Sequence, residues 1–144
     1  MYSLSNALTA LRNGQLSGKS FVRVKYSKIV WAVLIVLYDS GFISGIGMHK
    51  SGSIVSTKGR YIFVLLKRLN TGRFAINKML LVSTPGKRVY VRVSQIVEDH
   101  SGLTFKGITK SGFTVRVLST VEGVSSEDNA RMKHLGGEVL CEFE

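Results

Sequence analysis

The stretch VLSTVEGVSSEDNARMKHLGGEVLCEF, at residues 117–143, decides the fold class. Its first two residues complete a run at 113–118 that is typical of a strand. Ser126 can cap a short helix to about Lys133, because a serine oxygen accepts hydrogen bonds from first-turn N–H groups. Gly136-Gly137 is expected to end that helix, and residues 139–143 are expected to form a closing strand. A helix between strands predicts a small α+β unit at this end of the chain.

Upstream of this stretch, helical and strand patterns alternate. Leu4, Leu8 and Leu11 recur at helical spacing, and Asn13-Gly14 is expected to stop that helix. Ser27 is the expected cap of a second helix, which Gly41 ends. Further strands are predicted at 21–24, 43–48, 60–67, from the Asn70-Thr71-Gly72 turn through Val82, at 88–93 and at 103–105.

The fold class predicted from these elements is α+β, with two small lobes. Residues 1–82 form an N-terminal basic lobe of α-β-α-β-β type. Residues 83–144 form a mostly β lobe with one short helix, and Thr84-Pro85-Gly86 breaks the chain between the two.

Charge is distributed very unevenly along the 144 residues, whose net charge is +11. Residues 1–97 hold 15 Lys and Arg against one acid, Asp39, whereas residues 98–144 hold five against eight. Mutual repulsion among so many cations is relieved most simply by a polyanion. Nucleic acid is therefore the expected partner, and an anionic membrane surface is the second choice.

Composition excludes several other classes of protein. An apolar content of 44% with a single proline excludes a mainly disordered chain. The single cysteine, Cys141, excludes an internal disulfide framework and a cysteine-based zinc site. The longest apolar run, 29–38, is half of the roughly twenty residues that a membrane-spanning helix needs. No membrane-spanning helix is therefore predicted, and we expect nucleic acid and not a membrane as the partner.

Motifs that would carry catalysis are incomplete. NGQLSGKS at 13–20 lacks the first glycine of a phosphate-binding loop and follows a helix instead of a strand. Gly45-Ile46-Gly47 is a lone GxG and indicates a turn at a strand end. His49, His100 and His134 are far apart and have no evident nucleophile or orienting group. We expect no enzyme, cofactor, metal or small-molecule substrate.

Two segments carry a specific resemblance to a known family. STPGKRVYV at 83–91 resembles the "SKPGxRVY" element of small-subunit ribosomal protein eight, in its bacterial and organellar form. Residues 117–143 are similar to that family's "ILSTSxGVMTDxEAR…GGEILCYV". Weaker likenesses are LTALRNGQ at 8–15, SK at 27–28 and GFI at 41–43, so the resemblance covers nearly the whole chain. The stretch around 101–110 is longer than the family usually has.

The resemblance implies a two-lobe protein that binds the central domain of small-subunit rRNA, mainly through its C-terminal lobe. It also implies that residues 4–15 are the first helix of the mature fold, although 1–20 have the composition of a transit peptide. The RNA-binding residues that we expect are Arg12, Asn13, Lys19, Thr84, Pro85, Gly86, Lys87, Arg88, Tyr90, Ser119, Thr120, Gly123, Gly136 and Gly137.

Two residues depart from the family pattern at this site. Val121 replaces a serine that would face RNA, and Glu122 adds a negative charge that phosphate would repel. We therefore expect the acidic C-terminal lobe to bind more weakly than in relatives, and the basic lobe to supply more of the affinity.

The second helix carries apolar residues on two sides. Ile29, Val33, Val36 and Leu37 form the stripe expected to pack on the sheet. Trp31, Ile35 and Tyr38, at i, i+4 and i+7, form another on the opposite side, where the resembling family has Lys and Glu. A contiguous apolar patch marks a contact, so we expect a protein neighbour there.

The function expected from the sequence is that of a structural constituent of the small ribosomal subunit. Its partners would be small-subunit rRNA and neighbouring ribosomal proteins. A free RNA chaperone or translational regulator is the alternative. The divergent loop, the apolar second helix and the absence of a presequence favour the mitochondrial ribosome, and bacterial cytoplasm or a plastid remains open.

Overall fold

The computed structural model describes residues 2–49, 60–99 and 114–144. The chain divides into two units, residues 1–77 (unit 1) and 78–144 (unit 2). The division lies at 77/78 instead of 82/83, because the strand that begins at Met79 pairs within the second sheet. No described helix combines the length and apolar content needed to cross a membrane.

Unit 1 has the predicted α-β-α-β-β order. Its elements are α1 (Tyr2–Leu16), β1 (Phe21–Lys25), α2 (Lys28–Asp39), β2 (Ile43–His49) and β3 (Tyr61–Leu66). The three strands form an antiparallel sheet in the order β1-β3-β2. The predicted loop at 49–59 lies outside the described residues beyond His49.

One face of this sheet is buried beneath the helices. Val22 and Val24 of β1 are buried, as are Ile62, Val64 and Leu66 of β3. Because side chains alternate along a strand, the residues between them point to the other face. Each large apolar side chain that is fully buried contributes about 1.5–3 kcal/mol, so this inner face holds the unit together.

The packing stripe of α2 is rotated from its predicted position. Ile29 is only half-buried, whereas Val30 and Leu34 are buried together with Val33, Val36 and Leu37. Positions 30, 33, 34 and 37 are the i, i+3, i+4 and i+7 pattern of one helix face. The prediction that Ile29 belongs to the core stripe is wrong, since a uniformly apolar helix leaves its phase undefined by sequence.

The two helices of unit 1 end in the same way, at a glycine with a left-handed backbone. Gly41, with φ of 78°, ends α2 as predicted. Gly14 does not end α1, because the helix continues to Leu16 and Gly18, with φ of 68°, follows it. Gly14 instead allows close packing, since a Cβ there would overlap the side chain of Val22.

Unit 2 is a mostly β unit with two short helices. Its elements are β4 (Met79–Leu81), β5 (Tyr90–Val91), α3 (Val93–Asp99), β6 (Val115–Thr120), β7 (Gly123–Ser126), α4 (Glu127–Met132) and β8 (Gly137–Phe143). The order is β4-β8-β6-β7, and β5 also pairs with β8. With unit 1, this architecture confirms the predicted α+β class.

Several predicted elements of unit 2 have different limits. The strand expected through Val82 is confined to β4, and the one at 88–93 to β5. Residues 93–99 are helical, because the Gln95 side chain accepts a hydrogen bond from Arg92 N at 3.0 Å and Ile96 enters the core. β7 was not predicted. The strand expected at 103–105 lies outside the described residues.

Gly136 and Gly137 do not end α4, contrary to prediction. Ser126 caps its beginning, accepting from Asn129 N at 3.4 Å, as expected. At its end His134 adopts a left-handed φ of 54°, and Leu135 N donates to Ala130 O at 2.8 Å. This is the ordinary bonding pattern of a helix C-terminus, with histidine where glycine is usual.

Candidate nucleic-acid interface

Residues 84–88 form an exposed turn that presents two cations. Thr84 and Lys87 exchange backbone hydrogen bonds, each of 3.0 Å, so that Pro85 and Gly86 form the tip. Beneath the turn, buried Ser83 accepts from Val89 N at 3.0 Å and donates to Val89 O at 3.4 Å. The base of the turn is therefore fixed while its tip, with Lys87 and Arg88, faces solvent.

The segment expected to form an RNA-binding loop is the tip of the β6–β7 hairpin. Thr120 pairs with Gly123, leaving Val121 and Glu122 at the tip. Thr120 Oγ1 donates to Gly123 O at 2.9 Å and accepts from Glu122 N at 3.3 Å. Gly123 has φ of 119°, which side chains rarely tolerate. Thr120 therefore has a structural role in closing the hairpin.

Gly136 and Gly137 let the start of β8 approach its neighbours. A Cβ on Gly136 would lie 2.6 Å from Val91 O, and one on Gly137 would overlap the carbonyl of Ser119. These glycines are thus required by contacts inside unit 2. Their expected contact with RNA remains a prediction.

The sheet of unit 2 brings residues from three distant segments into one row. Tyr90 pairs with Glu138, Glu138 with Ser119, and Ser119 with Val124. Directly paired residues share a face, and this face is opposite to the core residues Val91, Leu118 and Val139. We call the row Tyr90, Glu138, Ser119 and Val124 the unit 2 face.

Glu138 is the residue of this face that sequence reasoning missed. Its carboxylate accepts a 3.0 Å ion-paired hydrogen bond from Arg88. The pair orients the Arg88 side chain along the face where Tyr90 is 61% exposed. The alternation of β8 around buried Val139 could have revealed that Glu138 points outward, but not that it meets Arg88.

Some of the acidic side chains of unit 2 are buried and do not contribute to its surface charge. Arg116 lies 3.5 Å from both Glu127 and Glu142, and all three side chains are at most 7% exposed. Two carboxylates and one guanidinium are thereby removed from the surface. At the hairpin tip, Lys133 Nζ lies 2.7 Å from Glu122, which offsets the charge that was expected to repel phosphate.

In unit 1, the expected RNA-binding residues lie at the C-terminal end of α1 and just after it. Arg12, Asn13 and Lys19 are exposed. Asn13 and Lys19 line a groove of about 580 Å³, which continues to Phe21 and Arg23 on the edge strand β1. Arg12 does not line this groove.

Two cations of unit 1 have structural partners. Lys67 Nζ donates to Gly41 O at 3.2 Å, and Arg68 donates to Gly18 O at 2.6 Å. Both carbonyls follow helix ends, where the helix dipole favours positive charge. These residues were not predicted to have this role, because the contacts join segments far apart in sequence.

The second apolar stripe of α2 faces outward. Ile35 is 37% and Tyr38 49% exposed, while Trp31 is half-buried. The stripe is therefore open to a neighbour in the isolated chain, although Trp31 is already partly packed.

The described residues contain no cluster that could hold a metal ion, and the single cysteine is buried. Within 2–49, 60–99 and 114–144, no three His, Cys, Asp or Glu side chains are grouped to hold a metal ion. Burial raises the pKa of the Cys141 thiol well above its ordinary range, so that the thiol stays protonated and inert.

Comparison with known proteins finds similarity to one family across nearly the whole chain. Residues 3–143 match the model of the family described as ribosomal protein S8. The small ribosomal subunit protein uS8 of Ehrlichia ruminantium is 36% identical over 138 residues, covering 96% of this chain and 93% of that protein. The protein of the same name from Ruegeria pomeroyi is 37% identical and covers 96% and 95% respectively.

Proposed function

This chain belongs to the ribosomal protein S8 family, and on that premise we propose how a protein of the small ribosomal subunit with this sequence binds its RNA. It is a structural, rRNA-binding constituent of the ribosome and not an enzyme. Our proposal is that unit 2 docks on the central domain of the small-subunit rRNA and supports subunit assembly. The observation that carries it is the unit 2 face, with the 84–88 turn beside it.

The unit 2 face suits close contact with an irregular RNA helix. A-form RNA hides the base edges of its major groove, so proteins contact its minor groove, its 2′-hydroxyls and its distorted bases. Ser119 is a short polar group whose hydroxyl has no hydrogen bond to the described residues. Tyr90 offers a ring for stacking, and Lys87 and Arg88 are placed for phosphate.

Unit 1 supplies the long-range attraction in this proposal. Arg12, Lys19, Arg23 and Lys25 are exposed, and Asp39 is the one acid before residue 98. Phosphate neutralisation by such cations dominates the affinity of many RNA-binding proteins.

The outer stripe of α2 is proposed to contact a neighbouring ribosomal protein. Ile35 and Tyr38 lie one turn apart and are exposed, which is unfavourable in water unless a partner covers them. In an assembled subunit, Trp31 and Tyr38 are expected to lose most of their exposure to protein. Finding both side chains against solvent or rRNA would exclude this partner.

Sedimentation tests the proposed role in the subunit. The tagged protein is followed through sucrose gradients of a cell lysate, with and without magnesium depletion. Co-migration with small subunits supports a structural constituent. A slow-sedimenting pool that persists when subunits are intact would instead favour the free RNA chaperone or translational regulator.

The compartment is proposed to be the mitochondrion. The support is the apolar outer stripe of α2 and the departures Val121 and Glu122, which fit a ribosome with an altered set of neighbours. The relatives are alphaproteobacterial and fit a bacterial chain equally well. Immunogold labelling in the native cells decides between them, and label confined to cytoplasm or plastids contradicts the proposal.

A further inference from the structure

We propose that unit 1 binds unpaired nucleotides of RNA on the sheet face turned away from its helices. This face, which we call the open sheet face, consists of Phe21, Arg23, Lys25, Tyr61, Phe63, Leu65, Gly45 and Gly47. The proposal rests on the rRNA-binding function above and adds a second, chemically different contact to it.

Strand register defines the open sheet face. Phe21 pairs with Leu65, Arg23 with Phe63, and Lys25 with Tyr61. These residues alternate with the buried Val22, Val24, Ile62 and Val64, so they all point away from the core. No described helix of unit 1 covers them, since α1 and α2 pack over the buried side.

Aromatic rings occupy one diagonal of this face. Phe21 and Phe63 have ring centroids 6.2 Å apart at an interplanar angle of 50°. Phe21 is 55% exposed and Leu65 49%, which is unusual for such large apolar side chains. Exposed rings on a sheet present flat surfaces on which bases stack, a contact that every base can make.

Two glycines of β2 leave the open sheet face without side chains beside Leu65 and Phe63. Gly45 and Gly47 of β2 pair with Leu65 and Phe63, so β2 contributes no side chain beside them. A Cβ on Gly47 would meet nothing within 4 Å, and its φ is not left-handed. Neither contact with the described residues nor backbone strain requires glycine there, and its effect is that β2 places no Cβ beside Phe63.

Cations accompany the rings. The Arg23 guanidinium carbon lies 4.4 Å from the Tyr61 ring centroid, which holds the charge close to the face. Lys25 is exposed in the next pair. Asp39, the single acid of unit 1, lies at the end of α2 and not on these strands. Rings, positive charge and no carboxylate together match single-stranded RNA.

Unpaired RNA fits this face better than a duplex. Bases within an A-form helix are stacked on one another and are not available to a flat aromatic sheet, whereas unpaired bases can be splayed onto it. The groove lined by Asn13, Lys19 and Arg23 adjoins Phe21. An RNA strand bound on the sheet could therefore extend its sugar-phosphate backbone into this groove.

The test uses the full chain and a fluorescent ten-nucleotide oligouridine, with a duplex RNA of equal length for comparison. We expect the single strand to bind more tightly. Phe21→Leu keeps an apolar side chain but removes the ring, and should weaken binding by about 5- to 150-fold. Phe21→Tyr keeps the ring and should bind like the natural chain. Gly47→Thr, which the backbone accommodates, should weaken binding by screening Phe63.

Three results would overturn the proposal: no preference for the single strand, equal binding by Phe21→Leu and the natural chain, or equal loss in Phe21→Leu and Phe21→Tyr. The same variants are then tested on a central-domain rRNA fragment and for incorporation into subunits. If Phe21→Leu is still incorporated into subunits and binds oligouridine as tightly as the natural chain does, only this proposal is refuted. Failure of the natural chain to bind the rRNA fragment refutes the proposed function itself.

A protein partner on this face is a separate outcome of the same series. It would be indicated by Phe21→Leu losing incorporation into subunits while its affinities for both RNAs match those of the natural chain. That result also overturns the proposal, because the ring would then serve a contact with protein.

Discussion

The three-stranded sheet of unit 1 buries one face and exposes the other, whereas the central strands β6 and β8 of unit 2 are buried on both faces over most of their length, and the two units also differ in charge. Residues 1–77 hold eleven Lys and Arg against one acid, and residues 78–144 hold nine against eight. Unit 1 exposes rings and cations on its open sheet face. Unit 2 exposes a row with one internally paired carboxylate, Glu138, and buries two more carboxylates around Arg116.

This difference separates two tasks of RNA binding. Positive charge acts over a distance of about one Debye length and needs no particular shape, whereas a hydroxyl or a backbone group acts only in contact. Unit 1 has the charge for the first task. Unit 2, with the Gly136-Gly137 approach and the tightly closed hairpin, has a rigid shape suited to the second.

The largest expected effect comes from the buried ion cluster, which has no counterpart among the described charges of unit 1. Arg116→Leu leaves Glu127 and Glu142 buried without their cation and should reduce the free energy of unfolding by about 3–5 kcal/mol. Urea denaturation measures it. Replacing all three residues by leucine should recover most of the loss, since two well-packed apolar groups then replace two buried carboxylates.

Lys133→Ala is the matched control in the same unit, because its pair with Glu122 is more than half exposed. Exposed pairs contribute little, so a change below about 1 kcal/mol is expected. If Arg116→Leu changes stability as little as this control, the buried cluster is not what stabilises unit 2.

Salt dependence compares the two units directly. If about six unit 1 cations contact phosphate, log K for rRNA should fall against log salt with a slope of roughly −4 to −5. Between 50 and 200 mM salt this is a loss of about 250- to 1000-fold, measured by filter binding.

Double variants show how much of that salt dependence comes from each unit. Arg23→Gln with Lys25→Gln should reduce its magnitude by about 1.5, and Lys87→Gln with Arg88→Gln should reduce it less, because Arg88 is already paired with Glu138. A slope near −1 for the natural chain would show that the unit 1 cations do not face phosphate.

Substitutions next to the tip of the β6–β7 hairpin test whether unit 2 contacts RNA there. Ser119→Ala with Thr120→Ala should weaken rRNA binding by about 1–3 kcal/mol, because the RNA loses the Ser119 hydroxyl as a partner and the hairpin loses the Thr120 hydrogen bonds that close it. Thr120→Ser keeps the hydroxyl that closes the hairpin and serves as the control, and circular dichroism checks that both variants fold. Unchanged affinity in the double variant would mean that the tip does not contact RNA.

A further small effect is expected in the pH dependence of stability, which arises within the core of unit 2. Burial raises the pKa of the Cys141 thiol, so the folded chain holds this proton more tightly than the unfolded chain does. Stability from this source is complete below the thiol's unfolded pKa and falls above it, by about 1.4 kcal/mol per pH unit. Urea denaturation at pH 8 and pH 10 should therefore show about 1–2 kcal/mol more loss in the natural chain than in Cys141→Val. Equal losses of stability in the natural chain and in Cys141→Val would contradict this role of the thiol.

Elements with strong local signals could be predicted from the sequence. Short apolar segments bounded by turn residues predicted β1, β2 and β3, and Ser27 and Gly41 marked the limits of α2. Weakly periodic segments could not be predicted. Residues 93–99 suit a strand or a helix locally, and burial of Ile96 with capping by Gln95 decided for the helix.

Glycine shows where sequence reasoning is ambiguous. Gly14, Gly41 and Gly137 all read as helix stops, but only Gly41 has that role. The other two are required because another segment of the chain passes too close for a side chain. A sequence shows that a glycine is present, whereas the reason for it depends on what lies within 4 Å.

The sequence by itself determined the α+β class, the concentration of charge in residues 1–97 and the family, because these depend on composition, periodicity and order along the chain. Only the tertiary structure decided which residues meet. Strand pairing through β8 places Tyr90 and Ser119 on one face, and pairing through β3 places Phe21 beside Phe63. Such neighbours are set by register between strands distant in sequence, and register minimises the free energy of the whole core and not of any one segment.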